Sequence, residues 1–200
     1  LHRMFGSIDV PVGRLIVVDN GGRLPAIPRA HVIRMPDNLG VAASWHLIIK
    51  STPTADWWAI VNHDVVFAPG DLAHLASAMD DGAGLVTLAG FAAFAISRWT
   101  VERVGYFDEN FVPAYCEDAD YEYRCKLAGV EIMAQPSSMR HDTSSTLHDA
   151  RLRVENNRTY GDNRAYYARK WGGELRGGET FTTPFNAGGG LVVQDRALAA

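Results

Sequence analysis

Four carboxylates fall within six residues in the stretch Tyr115-Cys116-Glu117-Asp118-Ala119-Asp120-Tyr121-Glu122-Tyr123-Arg124, and a histidine, His141, follows downstream. Like charges so close repel. A fold tolerates them most readily where a cation, a sugar hydroxyl or solvent relieves the repulsion. A further acidic position, Asp64 in Val61-Asn62-His63-Asp64-Val65, ends a strongly apolar run. The combination points to metal-assisted group transfer. A donor that leaves as a diphosphate concentrates negative charge, and a divalent cation stabilises it. Mn or Mg takes oxygen ligands in octahedral geometry, and Mn also accepts imidazole. Asp64 and His141 can supply two such ligands, with phosphate oxygens and water completing the set. Asp118 opens a helix, where the macrodipole favours an ionised carboxylate. That suits a general base, which contributes about 10²- to 10⁴-fold.

Taken singly, these residues have ordinary readings. Asp118 can be a helix cap, Asp64 a turn residue and His141 a surface histidine beside Arg140 and Asp142. Glu117 can pair with a cation, Asp120 is expected to face solvent, and His63 either meets a phosphate or fills the turn. Trp57 and Trp58 read as packing. The ordered combination carries the argument. Composition narrows it: a net charge of -4 argues against a sequence-independent grip on nucleic acid. No apolar run approaches the roughly 20 residues that span a bilayer, and Leu1-His2-Arg3-Met4-Phe5 lacks the order of a signal peptide. Cys116 and Cys125 read as free thiols on one helix, in a reducing compartment. No glycine-rich phosphate cradle is present, since Asn20-Gly21-Gly22 is a turn signal alone.

The elements that must position these residues alternate. Leu1 to Ile8 reads as the end of a helix. Strands are expected at Leu15–Val18, His31–Met35 and Trp57–Val61, around Gly90 at Leu85–Leu88 and Phe91–Ile96, and at Val130–Ala134. Helices are expected through Ala42, Trp45 and Ile49, from about Pro69 to Met79, over Trp99–Val104, from Asp118 to the stop at Gly129, and over Asn156–Trp171. From Gly173 onward the composition predicts a loose tail. Alternating strands and helices imply a mostly parallel α/β sheet covered on both faces, with ligands beyond the carboxyl ends of its strands. That rule places Asp19, Asn62, His63 and Asp64 along one rim.

From about Leu15 to Trp171 the chain resembles the inverting glycosyltransferases of family 2, with the GT-A fold: a twisted, mostly parallel sheet with helices on both faces and a Rossmann-like nucleotide-binding half. The resemblance rests on Val17-Val18-Asp19-Asn20-Gly21, on Asn38-Leu39-Gly40 and the helix after it, and on Asn62-His63-Asp64 in the place of an Asp-x-Asp metal motif. Gly105-Tyr106-Phe107-Asp108-Glu109 followed by Glu117-Asp118, His141, and Lys170-Trp171-Gly172 complete it. It implies Asp118 as catalytic base and Asp64 with His141 as metal ligands for Mn or Mg. It implies Asp19, Asn38, Asn62 and His63 around the donor nucleotide-sugar, and Glu117 and Trp99 toward acceptor or sugar. The implied partners are a nucleotide-diphosphate-sugar and a hydroxyl-bearing acceptor: a glycan, a lipid-linked glycan, a protein or a small molecule. The implied setting is polysaccharide biosynthesis in the cytoplasm, or peripherally at the inner membrane face. Two departures stand out. Asn62 replaces the first acidic residue of the metal motif, and the strand with which the family begins has no counterpart here. The expected organisation is therefore a catalytic domain over residues 1–172, lacking its first strand, and a flexible tail over 173–200. A catalytically silent GT-A domain that binds nucleotide-sugar or glycan, and a nucleotidyltransferase of related architecture, are the rival expectations.

Overall fold

A computed structural model describes residues 1–22, 24–141 and 150–186, with side chains in the last helix described from Arg158 onward. The chain runs α1 (His2–Gly6), β1 (Leu15–Asn20), β2 (Ala30–Met35), α2 (Val41–Ser51), β3 (Trp57–Val61), β4 (Val65–Val66) and α3 (Asp71–Asp80). It continues through β5 (Leu85–Thr87), β6 (Ala93–Ser97), α4 (Arg98–Val104), α5 (Glu117–Ala128), β7 (Ile132–Ala134), β8 (Arg140–His141) and α6 (Ala150–Trp171). The expected elements are therefore present, with α6 starting six residues earlier than its amphipathic pattern indicated. No described helix is long and apolar enough to cross a membrane.

The main sheet has the order β3-β6-β5-β7. β5 and β7 are parallel, and β6 is antiparallel to both β3 and β5. Three of its strands therefore share one direction. β6 runs the other way because only Leu88–Ala92 separates it from β5, too short for a crossover. The Leu88 amide instead closes a hairpin onto the Ala93 carbonyl at 2.9 Å. β1 and β2 form a separate parallel pair, and β4 and β8 a small antiparallel ribbon.

The strand alternation of β6 explains how helices cover both faces. Phe94 and Ile96 point into a core shared with Trp45 and Ile49 of α2 and Tyr121 and Cys125 of α5. Ala93 and Ala95 point the other way, toward Leu72, Leu75 and Met79 of α3. The first core is largely aromatic: Phe107 meets Trp45 edge-on at 4.7 Å and stacks on Tyr121 at 4.1 Å. A third cluster, with Phe111, Ala119, Tyr123, Tyr167 and Trp171, docks α6 on α5. Cys116 and Cys125 are free and buried, and burial pushes both thiols up to about 12.

Among the described residues, β1 and β3 are two of the strands left with an open edge. β1 pairs only with β2, and β3 only with β6. Both strands border a mostly apolar groove of about 720 Å³, lined also by Met4 and Ile8 near α1, Ile48 of α2 and Leu75 of α3. Leu15 to Val18 are consequently only half-buried, despite forming the most apolar run of their strand, and Ala59 of β3 is exposed.

The segment expected as a loose tail is packed through residue 186. The amides of Thr180 and Phe181 both donate to the Trp171 carbonyl, at 3.0 and 2.9 Å. The Tyr123 hydroxyl donates to the Phe181 carbonyl at 2.8 Å. Residues 187–200 lie outside the described residues.

Candidate active site

The carboxyl end of β3 turns sharply. The Asn62 amide donates to the Ala92 carbonyl at 2.9 Å, and the Val65 amide closes back on the Asn62 carbonyl at 3.3 Å. The ribbon then does what no local pattern announced: β4 pairs with β8 so that Val65 stands opposite His141. Asp64 and His141 are thereby brought together, with Nε2 3.3 Å from Oδ1. Asp64 Oδ1 is buried and has no hydrogen-bond partner among the described residues, so the ring nitrogen faces it without the alignment of a hydrogen bond. Two inward-facing donors of this kind fit a divalent cation of the Mn or Mg class. Among the described residues no third His, Cys, Asp or Glu joins them, so a cation there needs oxygens from a ligand or water. Asn62 is half-buried in the turn and His63 is exposed beside it.

At the end of β1, Asp19 is buried. Its Oδ2 accepts the Leu24 amide at 2.9 Å, which fixes the turn after the strand. Asn38 is tied to the same end: its Oδ1 accepts from Asn20 Nδ2 at 2.6 Å and from the Gly40 amide at 2.9 Å. Asn20 Oδ1 in turn accepts the Leu39 amide at 2.7 Å. Gly40, at φ +84, lets this corner touch the loop before α5, since a Cβ there would lie 2.9 Å from the Pro113 carbonyl oxygen. The Val41 amide donates to that oxygen at 2.7 Å. From the far side, Asn163 Nδ2 of α6 donates to the carbonyls of Ala114 and Tyr115, at 2.8 and 3.0 Å. The expected donor corner and the entrance to α5 are thus one continuous hydrogen-bonded rim.

α5 begins after two consecutive non-glycine residues in the left-handed region, Tyr115 (φ 82) and Cys116 (φ 75). Such conformations cost about 1–3 kcal/mol each and cluster at functional sites. They aim Glu117 inward and leave Asp118 partly open, its side chain 33% exposed and contacting Arg176 at 3.2 Å. Glu117 is buried, and its Oε2 has no hydrogen-bond partner among the described residues. Burial, opposed by backbone N–H donors and reinforced by neighbouring Asp118, pushes its carboxyl up to about 7. A group raised from 4.5 to about 7 makes folding less favourable as pH rises through that window, by about 3 kcal/mol in all. Glu117→Gln is therefore expected to remove that decline. Urea midpoints measured from pH 4.5 to 8 should separate from wild type only toward the alkaline end, with the variant the more stable.

The structure corrects two expectations. Asp120 does not face solvent: it is fully buried. Its Oδ1 meets Lys170 Nζ at 2.6 Å and accepts the Trp171 indole N–H at 2.8 Å, and its Oδ2 accepts from Arg124 Nε at 2.9 Å. Lys170 also holds Asp108 Oδ2 at 2.7 Å. Burial alone would raise the Asp108 carboxyl, but Lys170 and the other donors hold it down at about 2. Trp99 is exposed on α4, with its indole over Gly84, which leads into β5. That is the amino end of the strand, away from the rim, so the structure does not bring Trp99 to the other candidates. Arg176 has no place in the sequence reading, and Asn20, Asn163 and Lys170 enter it only within motifs, without the contacts they make here. Only Asn20, beside Asp19 at a strand end, carried a local signal.

Over 58 residues the chain is 40% identical to a galactofuranosyl glycosyltransferase of Leishmania donovani, a match that takes in 28% of this chain and 13% of that protein. It therefore spans only a small part of that relative's length. A mannosyltransferase from Pyrobaculum calidifontis, solved in complex with GDP-Man and Mn2+, superimposes with a TM-score of 0.61 at 15% identity, covering 88% of this chain and 61% of that one. That likeness shows the GT-A fold. Residues 14–125, more than half of the chain, match glycosyl transferase family 2, from the start of β1 to the last turn of α5, and the chain belongs to that family.

Proposed function

We propose that the domain is a metal-dependent inverting glycosyltransferase, which moves a sugar from a nucleotide-diphosphate-sugar to an acceptor hydroxyl. The observation that carries this reading is the Asp64–His141 pair: two metal-ligating groups, from opposite strands of a two-residue ribbon, set 3.3 Å apart with a buried carboxylate oxygen left unpaired. In the reaction the acceptor oxygen forms a bond to the anomeric carbon from the face opposite the leaving group. The bond from that carbon to the diphosphate oxygen breaks, the electron pair departs with the diphosphate, and the acceptor's proton passes to Asp118. A cation held by Asp64 and His141 supplies charge neutralisation for the diphosphate. Asn38, fixed by Asn20, and the rim residues Asn62 and His63 orient the donor, while Asp19 shapes the turn beneath it. Glu117, buried under the rim, sets the floor of the acceptor side.

The test is a thermal-shift series with GDP- and UDP-sugars, each with and without Mn. A ligand at 100 times its Kd adds about 2.7 kcal/mol to stability, or roughly 5–10 °C for a chain of this size. The expected result is stabilisation that needs donor and Mn together and is lost in both Asp64→Ala and His141→Ala. Equal stabilisation of these variants, or donor binding indifferent to Mn, overturns the assignment. Asn62, which leaves the cation one acidic ligand fewer, favours a second reading in which the domain binds nucleotide-sugar without turnover. Release of nucleoside diphosphate from the stabilising donor separates the two.

A further inference from the structure

Arg176 reaches Asp118 from far along the chain, and the segment that delivers it is tightly built. A Cβ on Gly173 would lie 1.7 Å from the Gly178 carbonyl oxygen, so the turn between them closes only with glycine. The Gly178 amide donates to the Glu174 carbonyl at 3.1 Å. Glu179 gathers the amides of Arg176 and Gly177, at 2.7 and 2.8 Å, together with the Tyr167 hydroxyl at 2.6 Å. Arg176 itself sits at φ 58, a left-handed conformation unfavourable for a residue with a side chain. Its guanidinium meets Glu122 through Nε at 2.9 Å and Nη2 at 3.4 Å, and the same Nη2 reaches Asp118 Oδ2 at 3.2 Å. Asp118 and Glu122 stand four residues apart on α5, so one planar group spans both.

Stability does not account for this arrangement. The Arg176 side chain is 62% exposed, and ion pairs that open add little to folding. The left-handed Arg176 and the close approach at Gly173 and Gly178 build the turn that presents this guanidinium. Resting on the reading of Asp118 as the base, we propose that Arg176 is a positioning residue. With Glu122 fixing its fork, it engages one oxygen of Asp118 and leaves the other, Oδ1, to take the acceptor's proton. A carboxylate base works only from a narrow range of positions, and misplacement by about 1 Å costs on the order of 100-fold in rate. A rigid guanidinium fork sets such a position better than the point charge of a lysine.

The experiment measures nucleoside diphosphate release by the full chain with Mn, from GDP-Man and a panel of UDP-sugars, with water as the acceptor. Arg176→Met, Arg176→Lys and Asp118→Asn are compared with wild type. Arg176→Met is expected to lower kcat by about 10- to 100-fold, with donor KM and thermal midpoint close to wild type, and Arg176→Lys to recover part of the loss. A purely structural role would instead move the midpoint and KM and show no graded rescue. Wild-type kcat in Arg176→Met, while Asp118→Asn is inactive, overturns the positioning role and leaves the base assignment standing. Full activity in Asp118→Asn, or no release by wild type from any donor, overturns the base reading and this proposal with it.

Discussion

Asp118→Asn is expected to lower sugar transfer by about 10²- to 10⁴-fold, the share of a rate that a positioned general base supplies. The amide keeps the size and shape of the carboxylate, but it cannot accept the acceptor's proton. Arg176 retains Glu122 as its partner through Nε, so the local fold should survive. Donor affinity should also survive, because the cation pair is drawn from β8 and the turn after β3, whereas Asp118 belongs to α5. The discriminating measurement is a paired one. Single-turnover transfer should collapse while Mn-dependent stabilisation by the donor stays within a degree or two of wild type. A variant that loses both would place Asp118 in donor binding. One that keeps both would remove it from the chemistry.

The parts of this site that were legible in the sequence are those with a local physical signature. Apolar runs ended by Asp19 and Asp64 declared strand ends, and a dense acidic stretch before an apolar stripe declared the start of α5. The partnership of Asp64 with His141 could be guessed from residue type, but its cause could not: strands of two residues have no period, so β4 and β8 leave no pattern to read. Asp120 was misread for a similar reason. Among Glu117, Asp118 and Glu122 it looks like one more solvated charge, and the groups that bury it, Lys170 and Trp171, lie some fifty residues away. The glycines after Trp171 looked like slack because composition records flexibility, not the close approach that only glycine permits. The half-buried state of Leu15 to Val18 is the converse case. Their composition calls for a central strand with neighbours on both sides, yet among the described residues β1 pairs only with β2 and borders a mostly apolar groove.

Lys170→Met is expected to produce the largest loss of stability in this chain. The ammonium is buried and lies 2.7 Å from Asp108 and 2.6 Å from Asp120. Removing one partner from a buried ionic cluster costs about 3–5 kcal/mol, because the charges left behind are neither hydrated nor paired. For a chain of this size that corresponds to a fall on the order of 10 °C in Tm. The pH dependence supplies an internal check. In wild type the Asp108 carboxyl is held at about 2 against a usual 3.8, so its contribution is complete above pH 4 and is lost as pH falls toward 2. It amounts to about 2 kcal/mol. The variant lacks the cation that holds this carboxyl down, so the gap between the two proteins should be widest near neutrality and narrow below pH 4. A loss under about 1 kcal/mol at pH 7 would mean that Arg124, Trp171 and Tyr166, which already bond the two carboxylates, satisfy them alone. The cluster joining α6 to the first turn of α5 would then be redundant, and the orientation of Asp118 would depend on Arg176 and the strained Tyr115–Cys116 entry.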